Sequence, residues 1–238
     1  QQRKKQEAAS EVNKRQAKIK PKRRQALLEQ IDRILTSERL SSGEASKLKG
    51  KLLFTTCSLF GRVGRAFVRP ISERQYESRS RKGLNDALRK ALKAWREILL
   101  RGRPRLITEV IGGPSDAVIF TDGSTSDTGS DPKIGGALFA SWLTAPTGFG
   151  ESVLNALVDR WMKKRSRITF IELFGAVCAI AQWGTTLTGK RVSIFIDSEA
   201  ALDGLIKGYS KSEEACELIA VLWQLVDEYQ ITVYLDKV

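Results

Sequence analysis

Three acidic residues stand where apolar segments would not ordinarily carry charge. Asp122 ends the run Ala117-Val118-Ile119-Phe120-Thr121, and Asp197 ends Val192-Ser193-Ile194-Phe195-Ile196. Glu172 interrupts Ile168-Thr169-Phe170-Ile171 and Leu173-Phe174-Gly175-Ala176-Val177. A buried charge is costly unless it is paired or bound to a cation. Three acids in one segment therefore point to a shared cation. Hard oxygen donors without His or Cys favour Mg2+ or Mn2+ over zinc. Two such ions about 4 Å apart activate a water and stabilise the leaving oxygen in phosphodiester hydrolysis. Each acid also has a plainer reading. Asp122-Gly123 suits a hairpin turn, and Asp197 suits a cap for a helix starting at Glu199. Glu172 resists such a reading. No other charged residue lies between Arg167 and Lys190, and its neighbours one turn away include Ile168, Gly175 and Ala176.

The elements that must position these acids read as a mixed α/β domain. Strands are expected at 117–122, 135–140 and 192–196, and from Ile231; Gly148-Phe149-Gly150 marks a further extended segment. Helices are expected at about 169–183, 199–206 and 213–229, the last carrying Ala215, Leu218-Ile219, Leu222-Trp223 and Val226 at helical spacing. Two of the acids would then close core strands at their C-terminal edge, where ligands bind in sheets of this kind.

The charge is divided unevenly. Residues 1–110 hold 29 Lys/Arg and 11 Asp/Glu, a net of +18; residues 111–238 hold the other 11 Lys/Arg and 16 Asp/Glu, a net of −5. The basic part calls for a polyanionic partner, with nucleic acid first and an anionic membrane surface second. No run reaches the roughly 18–20 apolar residues of a membrane-spanning helix, and the start has no signal-peptide pattern. There is no histidine. That excludes Ser-His-Asp and Cys-His catalysis and His-ligated zinc. Cys57, Cys178 and Cys216 form no Cys-x-x-Cys pair, which argues against a zinc knuckle or disulfide framework and fits a reducing, intracellular compartment. Lys20-Pro21-Lys22-Arg23-Arg24 suits a nuclear-import patch or a basic helix start, so nucleus and cytoplasm are not separated.

Three regions follow: a basic, disordered tail at 1–24, a helical region at 25–110, and the α/β domain at 111–238. In the second, Leu27, Leu28, Ile31 and Ile34 recur at helical spacing. Ser41-Ser42-Gly43-Glu44 has the form of a capping box and should open a helix that Pro70 kinks or ends. That helix should carry Leu48, Leu52-Leu53, Cys57 and Leu59-Phe60 on one side, with Lys47, Lys49, Lys51, Arg62 and Arg65 on the other. The five basic residues are nucleic-acid-binding candidates. A third helix carries Leu84, Leu88, Leu92, Trp95 and Ile98-Leu99.

Phe120-Thr121-Asp122-Gly123-Ser124, the Ile171-Glu172-Leu173 helix and Ile196-Asp197-Ser198-Glu199-Ala200 resemble the first three acidic motifs of the type 1 ribonuclease H fold. The resemblance covers about residues 117–238. Leu48-Lys49-Gly50-Lys51-Leu52-Leu53-Phe54, with Phe60-Gly61-Arg62-Val63-Gly64-Arg65, is similar to the thumb or connection that follows the palm in retrotransposon reverse transcriptases. Together these imply a ribonuclease H-like mixed sheet flanked by helices, preceded by a basic all-α region. They imply hydrolysis of the RNA strand of RNA–DNA hybrids with Mg2+ or Mn2+, catalysed by Asp122, Glu172 and Asp197 as metal ligands, beside an upstream polymerase palm in a parent polyprotein. Ser124 and Ser198 would touch nucleic acid, or serve only as turn and cap residues. The family uses a fourth acid after the last strand, and the chain ends at Val238 before that motif; Asp236 is too early. The mobile His of many members is also missing. A catalytically incomplete nucleic-acid-binding module is therefore the alternative. A transposase or integrase sharing the sheet fits less well, because Glu172 precedes Asp197.

The charge division makes one prediction. Affinity for an RNA–DNA hybrid should fall steeply with salt through residues 14–65. Titrations at several salt concentrations check this, and unchanged affinity after deletion of residues 1–110 overturns it.

Overall fold

The structure is a computed structural model, and it describes residues 14–59, 61–78, 82–101, 103–108, 114–126, 131–161 and 167–238. The chain divides into two compact units, Gln1–Gly113 and Pro114–Val238.

In the first unit, α1 (Pro21–Ser37) opens with a proline, whose missing N–H costs nothing in the first turn. It buries Leu27, Ile31 and Ile34. Against it packs α4 (Asp86–Arg101), which buries Leu88, Leu92, Trp95 and Leu99 on one stripe. Arg96 and Arg89 of α4 reach Asp32 and Glu38, at 2.7 and 2.8 Å. Between them lie α2 (Ser42–Thr56) and the short α3 (Val68–Arg74). The expected capping box is present: the Ser41 hydroxyl accepts from the Glu44 N–H, and Glu44 accepts from the Ser41 N–H.

Three expectations need correction here. The tail drawn at 1–24 is not a coil throughout, since Lys14–Ala17 (β1) pairs antiparallel with Arg105–Thr108 (β2) and α1 already begins at Pro21. The unit is consequently not all-α. Third, the helix opened by Ser41 stops at Thr56, well before Pro70. Thr55 and Thr56 turn their hydroxyls back to the carbonyls of Lys51 and Leu53, both at 2.7 Å, and Gly61 and Gly64 then take positive φ. Pro70 falls in the first turn of α3, where it is tolerated.

The second unit is a five-stranded mixed sheet of order β5-β4-β3-β6-β7, formed by β3 (Ala117–Ser124), β4 (Lys133–Ala140), β5 (Thr147–Ser152), β6 (Arg191–Ile196) and β7 (Thr232–Lys237). The β3–β4 and β4–β5 pairs are antiparallel; β3–β6 and β6–β7 are parallel. This is the mixed sheet flanked by helices that the sequence implied. Along β3, Ala117, Ile119, Thr121 and Gly123 are buried, while Phe120, Asp122 and Ser124 are exposed. The helices are α5 (Asn155–Trp161), α6 (Arg167–Trp183), α7 (Glu199–Lys207) and α8 (Glu213–Glu228). Helix α6 supplies the crossover side of the β3-to-β6 connection and packs on β3, β4 and α8. It is apolar almost all round, which suits a central helix. Helix α5 was not expected; the basic stretch after it, 162–166, lies outside the described residues. Among the described residues, no helix is long and apolar enough to cross a membrane.

Gly64 has φ +85°, and a Cβ there would sit 2.8 Å from the buried Trp95 ring. Gly64→Ala should therefore destabilise the first unit by about 1–3 kcal/mol, through left-handed backbone and overpacking together. A urea denaturation midpoint equal to that of the unmutated chain would contradict this.

Candidate metal centre

Strand pairing brings the first two acids together. In the parallel β3–β6 ladder, Thr121 stands opposite Ile196, so Asp122 and Asp197 are the next residues on neighbouring strands. Paired strands run about 4.8 Å apart. The buried Thr121 hydroxyl donates to the Phe195 carbonyl at 3.4 Å, which ties the two strand ends just below the acids. Both Asp side chains are exposed and neither makes a side-chain hydrogen bond or ion pair among the described residues.

Glu172 comes to them on α6. Its approach is set by Gly123, where a Cβ would meet Ile171 Cγ2 at 2.9 Å and the Glu172 backbone nitrogen at 3.0 Å. Only a residue without a side chain lets the helix lie this close to the strand. Gly175, one turn on, faces the Asp122 carbonyl, but its Cβ position is 3.6 Å away, an ordinary contact. Glu172 is 4 % exposed, and its Oε2 has no hydrogen-bond partner. Burial, then the negative charge of Asp122, and to a lesser degree that of Asp197, push its carboxyl up to about 7, while a hydrogen bond from the Gly123 N–H holds it down. The field of both aspartates at Glu172 shows that the three acids share one electrostatic neighbourhood.

Among the described residues, no three acidic or cysteine side chains converge closely enough, as placed, to hold a metal ion. The donor set nevertheless fits one. It comprises one buried carboxylate with an orphaned oxygen and two exposed, uncommitted carboxylates at adjoining strand ends. A cation there would offset the field of the two aspartates, which adds to burial in raising the Glu172 carboxyl.

The other candidates fall in several places. Ser198 is the N-cap of α7, and its hydroxyl accepts from the Ala201 N–H at 3.3 Å. Ser124 is exposed at the end of β3, opposite Lys133. Lys47 and Lys51 are exposed on α2, and Lys49 is half-buried. Lys51 donates to Gln30 at 2.7 Å. Arg62 and Arg65 are half-buried in the turns beyond α2, so the five basic residues do not share one helix face. Two groups near the acids went unnoticed in the sequence. The Gly123 N–H could have been suspected from Asp-Gly beside a buried acid. Lys237 and Glu199, joined at 3.0 Å beside Asp197, are ordinary surface residues in sequence and gave no signal.

No family model matches the sequence, and no curated protein matches it. Among solved structures, the chain is similar to the N-terminal RNase H domain of a Mycobacterium tuberculosis protein, solved as a fusion with maltose-binding protein. That match has 11 % identity and a TM-score of 0.41, covering 51 % of this chain and 86 % of that one. It is also similar to RNase H1 from the halophilic archaeon Halobacterium salinarum, at 10 % identity and a TM-score of 0.39, covering 51 % of this chain and 83 % of that one.

The raised Glu172 carboxyl makes stability depend on pH. Between pH 4.5 and about 7 the folded chain holds a proton that the unfolded chain has released. Stability without added cations should therefore fall as pH rises across that window and level off above it, by on the order of 1–3 kcal/mol. Glu172→Gln should abolish this dependence. Denaturant midpoints at pH 5 and pH 8 in a chelator test it; parallel behaviour of the two proteins would count against it.

Proposed function

We propose that the second unit is a divalent-cation-dependent nuclease domain acting on the RNA strand of RNA–DNA hybrids, and that the basic first unit supplies affinity for the nucleic acid. One observation carries this reading: a buried glutamate with an orphaned oxygen lies in the field of two exposed aspartates at neighbouring strand ends. Nothing in the packing requires an acid at position 172, since an apolar residue would satisfy α6 better. Asp122, Glu172 and Asp197 would hold Mg2+ or Mn2+. Bound there, the cation supplies water activation and stabilisation of the leaving oxygen.

The remaining work falls to the chain itself. Glu172 is fixed by burial and by the Gly123 N–H, so it serves as the rigid member of the set. Asp122 and Asp197 are exposed, which leaves them room to adapt to the ion and the scissile phosphate. An acidic unit repels a phosphate backbone, and the 29 Lys/Arg of residues 1–110 offset that repulsion. Lys47, Lys49, Lys51, Arg62 and Arg65 are the candidate contacts, with Ser124 as a further one. Ser198 is committed to its helix cap. The resemblance of the first unit to a reverse-transcriptase thumb or connection supports a retroelement setting with a polymerase palm upstream.

A second reading is favoured by the failure of the three acids to converge as placed. In it the unit keeps the fold and binds nucleic acid without turnover. One experiment separates the two. Hybrid cleavage in Mg2+ or Mn2+ should be lost on chelation and fall at least a hundredfold in Asp122→Asn. Equal cleavage by the variant overturns the first reading. Salt-sensitive hybrid binding without cleavage, and without cation binding in calorimetry, establishes the second.

A further inference from the structure

The end of β7 places a cation, Lys237, near the acidic site. Ile196 and Lys237 are register partners in the parallel β6–β7 pair, so Lys237 stands beside the strand that delivers Asp197. Its Nζ lies 3.0 Å from Glu199 Oε1, in the first turn of α7, two residues past Asp197. The hydrogen bond and charge of Glu199, with a smaller contribution from Asp197, hold the ammonium in its charged form. The neighbouring strand positions are acidic or apolar: Asp236 accepts from the Lys237 N–H at 2.8 Å, and Phe195 stands opposite Asp236.

The Lys237–Glu199 pair is open to solvent, with Lys237 46 % and Glu199 81 % exposed. Exposed pairs of this sort contribute little to stability and exchange partners readily. A backbone phosphate, like a carboxylate, offers a lysine two charged acceptor oxygens, so it can replace Glu199 as the partner. A phosphate backbone at Asp197 would lie beside the strand that carries this ammonium, whose charge already feels Asp197.

We propose that Lys237 is a substrate-contacting residue of the site, binding a backbone phosphate next to the one at the carboxylates, and that Glu199 holds it in place until that phosphate arrives. This rests on the reading of the acids as a nucleic-acid-processing site. It gives the acidic unit a phosphate contact of its own, independent of the basic first unit.

The two partners of the pair make the test, because their removal should act in opposite directions. In the full chain, with an RNA–DNA hybrid titrated at several salt concentrations, Lys237→Met should weaken binding about three- to tenfold. It should also reduce the salt slope by about one contact's worth. Glu199→Gln frees the lysine and should strengthen binding about twofold or more, while the double variant should match Lys237→Met. Thermal melts are read alongside, since both single variants lose the same ion pair and should lose the same small increment of stability. Unchanged binding in both, or weakening in both, overturns the proposal and leaves the pair a strand-to-helix clasp. Absence of hybrid binding by the unmutated chain overturns it too. The readout needs no cleavage: a chain that binds with these opposed shifts, yet cleaves no faster than its Asp122→Asn variant, would remove the nuclease reading and keep Lys237 as a phosphate contact.

Discussion

The close approach of α6 to β3 at Gly123 is the constraint on which the site depends. Helix and strand meet with almost no side chain between them. The distance is small enough that even a methyl group would strike the Glu172 backbone nitrogen. This contact brings a carboxylate into the interior beside two others. A helix held farther off by ordinary side chains would leave Glu172 nearer to solvent, and its carboxyl would titrate like a surface acid. The raised carboxyl of this one group thus follows first from backbone packing, with the charge of Asp122 adding to it.

The parallel pairing of β3 with β6 supplies the other half. Antiparallel strands would put their C-terminal ends at opposite edges of the sheet. Parallel neighbours put them at the same edge, so two residues that each terminate a hydrophobic run become adjacent. The helix caps and turns around them are conventional. Ser198 caps α7 as serine commonly does. Asp197 itself makes no side-chain bond to the helix, which weakens its reading as a simple cap.

Much of this was legible in the residues. The apolar runs of β3 and β6 and the lone charge in α6 were sufficient to place those elements, because burial leaves strong patterns. What escaped the sequence was local or relational. Helix α2 ends early through threonine hydroxyls and two positive-φ glycines, signals that compete poorly with an uninterrupted apolar pattern. Pairing of Lys14–Ala17 with residues 105–108 joins two four-residue segments, too short to carry a periodic mark. The Lys237–Glu199 pair depends on a register between distant strands, and no spacing in the chain encodes it. For the acids, the sequence put forward a set but not a posture: it could not show that Glu172 is buried while its two companions stand open.

The hydroxyl bond beneath the aspartates spans 74 residues of chain, from Thr121 to Phe195. Strand ends so far apart in sequence meet only when β3 and β6 pair across the intervening chain, so the acids are strangers in the unfolded chain. Closing a loop of that length is entropically costly and slow compared with local helix formation. Assembly of the site is therefore tied to the cooperative completion of the sheet. A partial fold retaining α6 and the β3–β5 meander would possess Glu172 and Asp122 but lack their repulsive third member. Pairing of β6 with β3 then adds the smaller share of Asp197 to the tension that burial and Asp122 already impose on Glu172, so the full acidic set exists only when the sheet is whole.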